Sequence, residues 1–343
     1  MILDKFIGVF SNDMAIDLGT ANTIVSVKGK GIIINEPSVV AVQRDKVGKD
    51  KILAVGQEAK RMLGKTPINI QAVRPMQDGV IADFEMTERM IRYFIEKAHS
   101  RKSFIRPRVI ICIPYGITQV ERKAVEESAL SAGAREVFLV EEPMAAAIGA
   151  GIPVSDPEGH VVVDIGGGTT EIGVTSLGGL VLCKSVKVGG DKIDRSIIEY
   201  VRQNYNLFIG ERTAETVKIE VGAAIKLDPE LKIQIKGKDH SGYLSTIELG
   251  SEGIRIAIKE PLKEIASAIR SVLENMPPDL AGDVVDNGII ITGGGALIRG
   301  LDKYLTEIVK IPVRIADEPL LSVAYGTSQV LEQPELLKLI SNN

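Results

Sequence analysis

His160-Val-Val-Val-Asp164-Ile-Gly166-Gly167-Gly168-Thr169-Thr170-Glu171-Ile-Gly-Val-Thr-Ser176 is the stretch around which the rest of this sequence is best read. An apolar run from Val161 to Val163 ends in a carboxylate and three glycines, and an alternating run from Ile172 to Thr175 follows at once. The pattern predicts strand, tight turn, strand. Glycine lets the turn come close to a ligand and take positive φ, so several backbone N–H groups can converge on one concavity and hold phosphate oxygens. Thr169 and Thr170 add hydroxyl donors, and Asp164 stands where it can hold Mg²⁺ through the ion's water shell. Hairpins also use glycine for geometry alone, and this copy by itself leaves both readings open.

The order recurs in Met14-Ala-Ile-Asp17-Leu18-Gly19-Thr20-Ala-Asn22-Thr23-Ile24-Val25-Ser-Val27. One aspartate per half suggests a duplicated architecture whose two halves present facing turns to one anion. Neither copy ends in the Gly-Lys-Ser/Thr of a P-loop, and neither opens a helix as a dinucleotide fingerprint does. A third glycine element, Gly288-Ile-Ile-Ile-Thr292-Gly293-Gly294-Gly295-Ala296-Leu297-Ile-Arg-Gly300, runs from a strand through glycines into a helix. Such a turn accepts a flat ring or a phosphate near its N–H groups.

At 343 residues the chain is long enough for two domains. Its 45% hydrophobic and 25% charged residues are those of an ordinary globular protein, and no run reaches the roughly 18 apolar residues of a membrane span. A net charge of -4 argues against nucleic acid as a partner. Cys112 and Cys183 lie in apolar runs and read as small core residues in a reducing compartment. The three histidines, His99, His160 and His240, have no zinc-like spacing, so no structural metal is expected.

Along the chain, Ile2, Leu3, Phe6, Ile7, Val9 and Phe10 fall on one side of a helix, a face that suits either a membrane interface or the protein's own surface. Residues 57–63 and 87–99 have helical spacing, and 74–79 reads as a turn. Ser100-Arg-Lys-Ser-Phe104-Ile105-Arg106-Pro-Arg108 sets basic residues around two apolar ones, which fits anionic headgroups or a core-covering connector. Residues 108–140 alternate strand, helix and strand, the rhythm of a mostly parallel α/β sheet. Glu142-Pro143 opens a helix whose small residues permit close packing where two domains meet. Glu142 can orient a water for attack on a γ-phosphate or simply complement the helix dipole. Near residue 211 another helix begins with Thr213 as cap. Glu215 and Lys218, three apart, share one face of it, a spacing that suits bracketing a ribose or a surface ion pair, of which spacing alone favours the ion pair.

Together, two Asp-Gly hairpins, a Glu-Pro helix and a late Gly-Gly-Gly-Ala turn resemble the actin, Hsp70 and sugar-kinase ATPase superfamily, and within it the bacterial actin-like MreB family. Ala15-Ile-Asp-Leu-Gly-Thr-Ala-Asn-Thr23, Asn35-Glu-Pro-Ser-Val-Val40, Arg74-Pro-Met, Asp78-Gly-Val-Ile-Ala-Asp-Phe84, Glu142-Pro-Met-Ala-Ala-Ala-Ile-Gly149, Val163-Asp-Ile-Gly-Gly-Gly-Thr-Thr-Glu171, Val188-Gly-Gly-Asp191, Gly210-Glu-Arg-Thr-Ala-Glu215 and Thr292-Gly-Gly-Gly-Ala296 carry the resemblance along nearly the whole chain.

The resemblance implies an actin-like ATPase fold: two duplicated α/β domains, each with a small inserted subdomain, and ATP with Mg²⁺ in the central cleft. The first lobe would be residues 1–142 with 322–343, with an insertion at about 33–75. The second would be 143–321, with an insertion at about 190–250. Leu18, Gly19, Thr20 and Asn22 would meet phosphate on one side and Gly166, Gly167, Gly168 and Thr169 on the other, with Asp17 and Asp164 near the metal. Glu215, Thr216, Val217 and Lys218, with Gly294, Gly295, Ala296 and Leu297, would contact the nucleoside, while Glu142 and Thr169 would position the hydrolytic water. Ile2, Leu3, Phe6, Ile7, Phe10, Phe104 and Ile105 would anchor the protein to lipid. The implied activity is a slow ATPase coupled to polymerisation. Its homopolymer filaments would lie on the inner face of the cell membrane and, with membrane-bound cell-shape and wall-synthesis proteins, keep the cell rod-shaped. A chaperone ATPase of the Hsp70 type would need a peptide-binding domain after residue 343, and a small-molecule kinase would need a substrate pocket served by a base such as Glu142.

Overall fold

The computed structural model of the chain describes residues 12–44, 50–77, 79–99 and 106–341. The chain divides into two compact units, one built from the residues up to Ser155 and from Leu321 onward, the other from Asp156–Leu320.

In the first unit, Met14–Leu18 (β1), Asn22–Val27 (β2) and Gly31–Pro37 (β3) form an antiparallel meander. Val40–Arg44 (β4), Asp50–Val55 (β5) and Ile70–Val73 (β6) make a separate three-stranded sheet, order β5-β4-β6, against which Gln57–Met62 (α1) packs. Two helices follow the inserted sheet in the sequence alternation expected of α/β units. Phe84–Ala98 (α2) is capped by Asp83, whose Oδ1 accepts from Met86 N at 3.0 Å, so it starts three residues before the helix read from periodicity. Arg108–Ile113 (β7) and Glu136–Glu141 (β8) flank Gln119–Ser131 (α3), which opens on a capping box between Thr118 and Glu121. The main sheet runs β8-β7-β1-β2-β3, with β1, β7 and β8 parallel.

The helix Glu142–Gly149 (α4) belongs to this unit, so the division falls after Ser155 and not after Glu142 as the sequence suggested. Its small residues pack instead against the helix Ser322–Glu332 of the same unit. A Cβ added at Gly149 would lie 1.7 Å from the Ser322 carbonyl oxygen, and one at Gly326 would lie 1.8 Å from that of Ala145. Only glycine allows the two backbones to approach this closely.

The second unit repeats the plan strand for strand. His160–Ile165 (β9), Thr170–Ser176 (β10) and Gly179–Val186 (β11) form the antiparallel meander. Gly190–Tyr205 (α5), Glu211–Val221 (α6) and a small sheet of Leu207–Phe208 (β12), Lys232–Asp239 (β13) and Leu244–Gly250 (β14) follow. After Lys259–Asn275 (α7), Ile289–Thr292 (β15) and Val313–Ile315 (β16) add in parallel to give β11-β10-β9-β15-β16. Even the register shift recurs, between Val25 and Ser26 in one unit and between Val174 and Thr175 in the other. β9 and β15 read as continuous Val/Ile runs because they are buried on both faces. The core of this unit gathers Val161, Val163 and Ile172 with helix residues such as Ile193, Ile197 and Val217. Among the described residues, no helix is long and apolar enough to cross a membrane.

Candidate functional site

Each unit carries its acidic turn at the C-terminal end of the central strand of its main sheet, where open α/β sheets place ligands. In the first unit Asp17 is paired with Ile24 on β2 and Cys112 on β7, and Gly19 and Thr20 form the turn. The turn is braced from outside the hairpin: the Ser38 hydroxyl donates to the Gly19 carbonyl at 2.6 Å and lies 2.9 Å from the Thr23 hydroxyl. Ser38 is fully buried. The Gly19 and Thr20 N–H groups donate to no other backbone group among the described residues. Leu18 is buried in the core, so only its backbone is available to a ligand, whereas Asn22 is exposed.

In the second unit Asp164 is paired with Glu171 and Thr292 in the ladder. Its Oδ1 accepts from the Thr292 hydroxyl at 2.7 Å. Burial pushes its pKa up to about 6, against the smaller opposing effect of that hydrogen bond. The turn closes on itself through Gly166 N to the Thr169 carbonyl at 2.9 Å. The first turn of α5 docks on its far side, Gly190 N and Asp191 N donating to the carbonyls of Gly166 and Gly167 at 3.0 and 2.8 Å. The Thr170 hydroxyl fixes the loop before α5 by donating to the Val188 carbonyl at 2.6 Å. With its carbonyls so occupied, the turn has the N–H groups of Gly167, Gly168 and Thr169 to offer, and none of these donates to another backbone group among the described residues. That is the arrangement of a backbone anion nest.

The third glycine element packs on the same strand end. Gly293 has φ 77°, and a Cβ there would lie 2.4 Å from the Ile165 carbonyl oxygen. The following Gly294–Leu297 is one turn of 3₁₀ helix, where the sequence reading expected an α-helix to open directly. Gly295 is buried against Ile165 and Ala296 is buried, while Leu297 is exposed.

Three readings of the sequence change here. α6 is capped by Gly210 without a side-chain bond, and Thr213 lies inside its first turn. The ion pair of Lys218 is with Asp194 on α5, Nζ to Oδ2 2.9 Å, and not the local pair with Glu215. Val217 is a core residue, and Thr216 faces solvent with its hydroxyl bonded to the Arg212 carbonyl at 2.9 Å, so of the 215–218 stretch Glu215 and Lys218 carry the partly exposed polar side chains. Glu142 is 9% exposed and opens α4, with Glu141 at the N-cap position. The lipid-facing candidates Ile2, Leu3, Phe6, Ile7, Phe10, Phe104 and Ile105 lie outside the described residues.

Ser38, Thr292 and Asp194 were not singled out from the sequence. Thr292 had a signal, a lone hydroxyl ending the apolar run Ile289–Ile291, and Asp194 is one helical turn beyond Gly190 on the same face. Ser38 had none, because its partners are in the preceding hairpin.

The Mg²⁺ suggested by the motif requires oxygen donors. Asp164 is a buried carboxylate whose pKa is set by burial and a hydroxyl, with no cationic side chain among the described residues acting on it. A buried carboxylate with no cationic partner suits an ion reached through water.

The MreB/Mbl protein family model matches residues 11–339. The chain is 54% identical over 339 residues to the cell shape-determining protein MreB of Escherichia coli (strain K12), covering 98% of this chain and 97% of that one. It is 49% identical over 330 residues to the cell shape-determining protein Mbl of Bacillus subtilis (strain 168), covering 96% and 98%. Among solved structures, MreB 5 of Spiroplasma citri bound to AMPPNP matches with a TM-score of 0.89 at 38% identity, over 96% of this chain and 98% of that one. A MamK double helical filament matches with a TM-score of 0.79 at 22% identity, over 94% and 99%, a likeness of fold alone. The fold is actin-like.

Proposed function

The chain belongs to the MreB/Mbl family, and from that premise we propose that it is a filament-forming ATPase that lies on the inner face of the cell membrane. There it organises wall synthesis and maintains cell shape. The observation that carries the nucleotide part is the repeated hairpin. Each unit carries an aspartate at the penultimate position of its central strand, followed by a turn in which the N–H groups of Gly19 and Thr20, or of Gly167, Gly168 and Thr169, go to no described backbone carbonyl. A nest of this kind suits phosphate oxygens, and the MreB 5 relative was solved with AMPPNP.

In this reading the Gly19–Thr20 and Gly167–Thr169 N–H groups hold phosphate oxygens, and their preorganisation by Ser38 and by α5 spares the loops an ordering cost on binding. Asp17 and Asp164 would hold Mg²⁺ through water, and the ion when bound neutralises phosphate charge. Glu142 accepts a hydrogen bond from a water and Thr169 shares in orienting it, so that the water is in line for attack on the terminal phosphate. Polymerisation enters this reading with the actin-like fold, which the subunit of a MamK double helical filament also has, and the cell-shape role is supported by the names of the relatives. These favour a cytoskeletal protein over a chaperone or a small-molecule kinase. Electron microscopy of the purified protein on lipid monolayers tests the whole reading: filaments lying on the lipid with ATP are expected, and dispersed monomers with ATP would refute it.

A further inference from the structure

Lys218 and Asp194 form a part-buried ion pair that leaves part of its hydrogen-bonding capacity unused. Lys218 lies on α6 and Asp194 on α5, with side chains 18% and 11% exposed. Lys218 Nζ also donates to the Gly190 carbonyl at 3.2 Å, and the N–H of the same Gly190 donates to Gly166. The ammonium is thereby tied to the first turn of α5, which is itself tied to the candidate phosphate turn. Of the three Nζ protons, the described residues take two. On the other partner, Asp194 Oδ1 is buried with no hydrogen-bond partner.

A pair kept only for stability is a poor use of two largely desolvated charges, since apolar side chains of similar volume often do as well. A different consequence follows from charge. A lysine next to a phosphate site ordinarily acts as a point charge on phosphate. Here Asp194 neutralises it, so the remaining Nζ proton suits a neutral acceptor, such as a sugar hydroxyl or a ring nitrogen, better than another phosphate oxygen.

We propose that Asp194 is a positioning and specificity residue: by holding and neutralising the Lys218 ammonium, it makes Lys218 read the nucleoside end of a nucleotide and not its phosphates. The inference rests on the nucleotide-binding reading of the Gly166–Thr169 turn. Asp194 also meets Glu215 and Asp191, both of which raise its pKa, while Lys218 lowers it; burial is the largest effect and the result is about 6.

The test compares affinities for Mg²⁺–ATP and for Mg²⁺–tripolyphosphate, which has no nucleoside, by displacement of a fluorescent ATP analogue. The proteins are the full-length wild type, Asp194→Asn, Lys218→Met and the double variant. Asp194→Asn should lower the ratio of ATP to tripolyphosphate affinity by about tenfold, the worth of one good hydrogen bond, with tripolyphosphate binding unchanged or tighter. Lys218→Met should lower the ratio similarly, and the double variant no further. The wild-type ratio divided by that of Asp194→Asn at the same pH, a comparison that cancels the ligands' own protonation, should fall toward one as pH drops through about 6. A wild-type ratio in Asp194→Asn, an equal loss of both ligands, or additive single effects would overturn the proposal. A wild type that binds neither ligand would instead remove the nucleotide reading beneath it.

Discussion

Replacing Asp164 by Asn is expected to stabilise the nucleotide-free protein while weakening its hold on Mg²⁺–ATP. Asp164 is 6% exposed, and burial raises its pKa from 3.8 to about 6. Near neutral pH the folded chain therefore maintains a carboxylate that burial disfavours. A difference of about two pH units corresponds to about 3 kcal/mol. Asn removes the charge but keeps an oxygen that can accept from the Thr292 hydroxyl, now 2.7 Å from Oδ1. Because that hydrogen bond weakens when its acceptor is neutral, the net gain should be about 1–3 kcal/mol, or several degrees in the unfolding midpoint. The sign of the pH dependence follows from linkage. The folded pKa lies above the unfolded one, so the folded state binds the proton more tightly and wild-type stability falls as pH rises from about 4 through about 6. The advantage of the Asn variant should thus be complete above about pH 7 and vanish below about pH 4. Scanning calorimetry of both proteins without nucleotide and with EDTA, across that range, measures it; repeating the scans with Mg²⁺–ATP should show a smaller ligand-induced rise in the variant. A variant no more stable than wild type near pH 7, or an advantage independent of pH, would refute the argument from burial.

Glu142→Ala should retain nucleotide affinity and slow phosphate release by about two or more orders of magnitude, whereas an unaltered rate would return Glu142 to a helix-dipole role. Gly326→Ala should cost about 1–3 kcal/mol in urea unfolding, since its Cβ would sit 1.8 Å from the Ala145 carbonyl oxygen and backbone would have to move; an unchanged midpoint would contradict the close helix approach. Phe104 and Ile105 replaced together by Ser should reduce pelleting with anionic liposomes and leave ATP binding intact, and undiminished pelleting would exclude them as anchors.

Much of the fold was legible because it rests on local patterns. The Val161–Val163 and Ile289–Ile291 runs are strands buried on both faces, which need little besides apolar β-branched residues. The Thr118 and Glu121 capping pair marks its own helix start. The two Asp-Gly turns announced the duplication, and the matching strand orders of the two units carry it through all five strands of each main sheet. Where readings changed, the deciding contact was distant in sequence. Spacing paired Lys218 with Glu215, yet the ammonium goes to Asp194, 24 residues away, because α5 and α6 pack side by side. The small residues of Glu142–Gly149 signalled a close helix contact but could not say with which helix.

Residue order alone thus determined the strands, the glycine turns and the acidic residues that end the two central strands, because each follows from neighbours along the chain. Tertiary structure alone decided which partners those residues meet. Ser38 bracing the first turn, α5 bracing the second, Thr292 on Asp164 and Asp194 on Lys218 all join elements remote in sequence. A hydrogen bond or a buried charge is set by what packing brings within about 3 Å, and no local pattern encodes that.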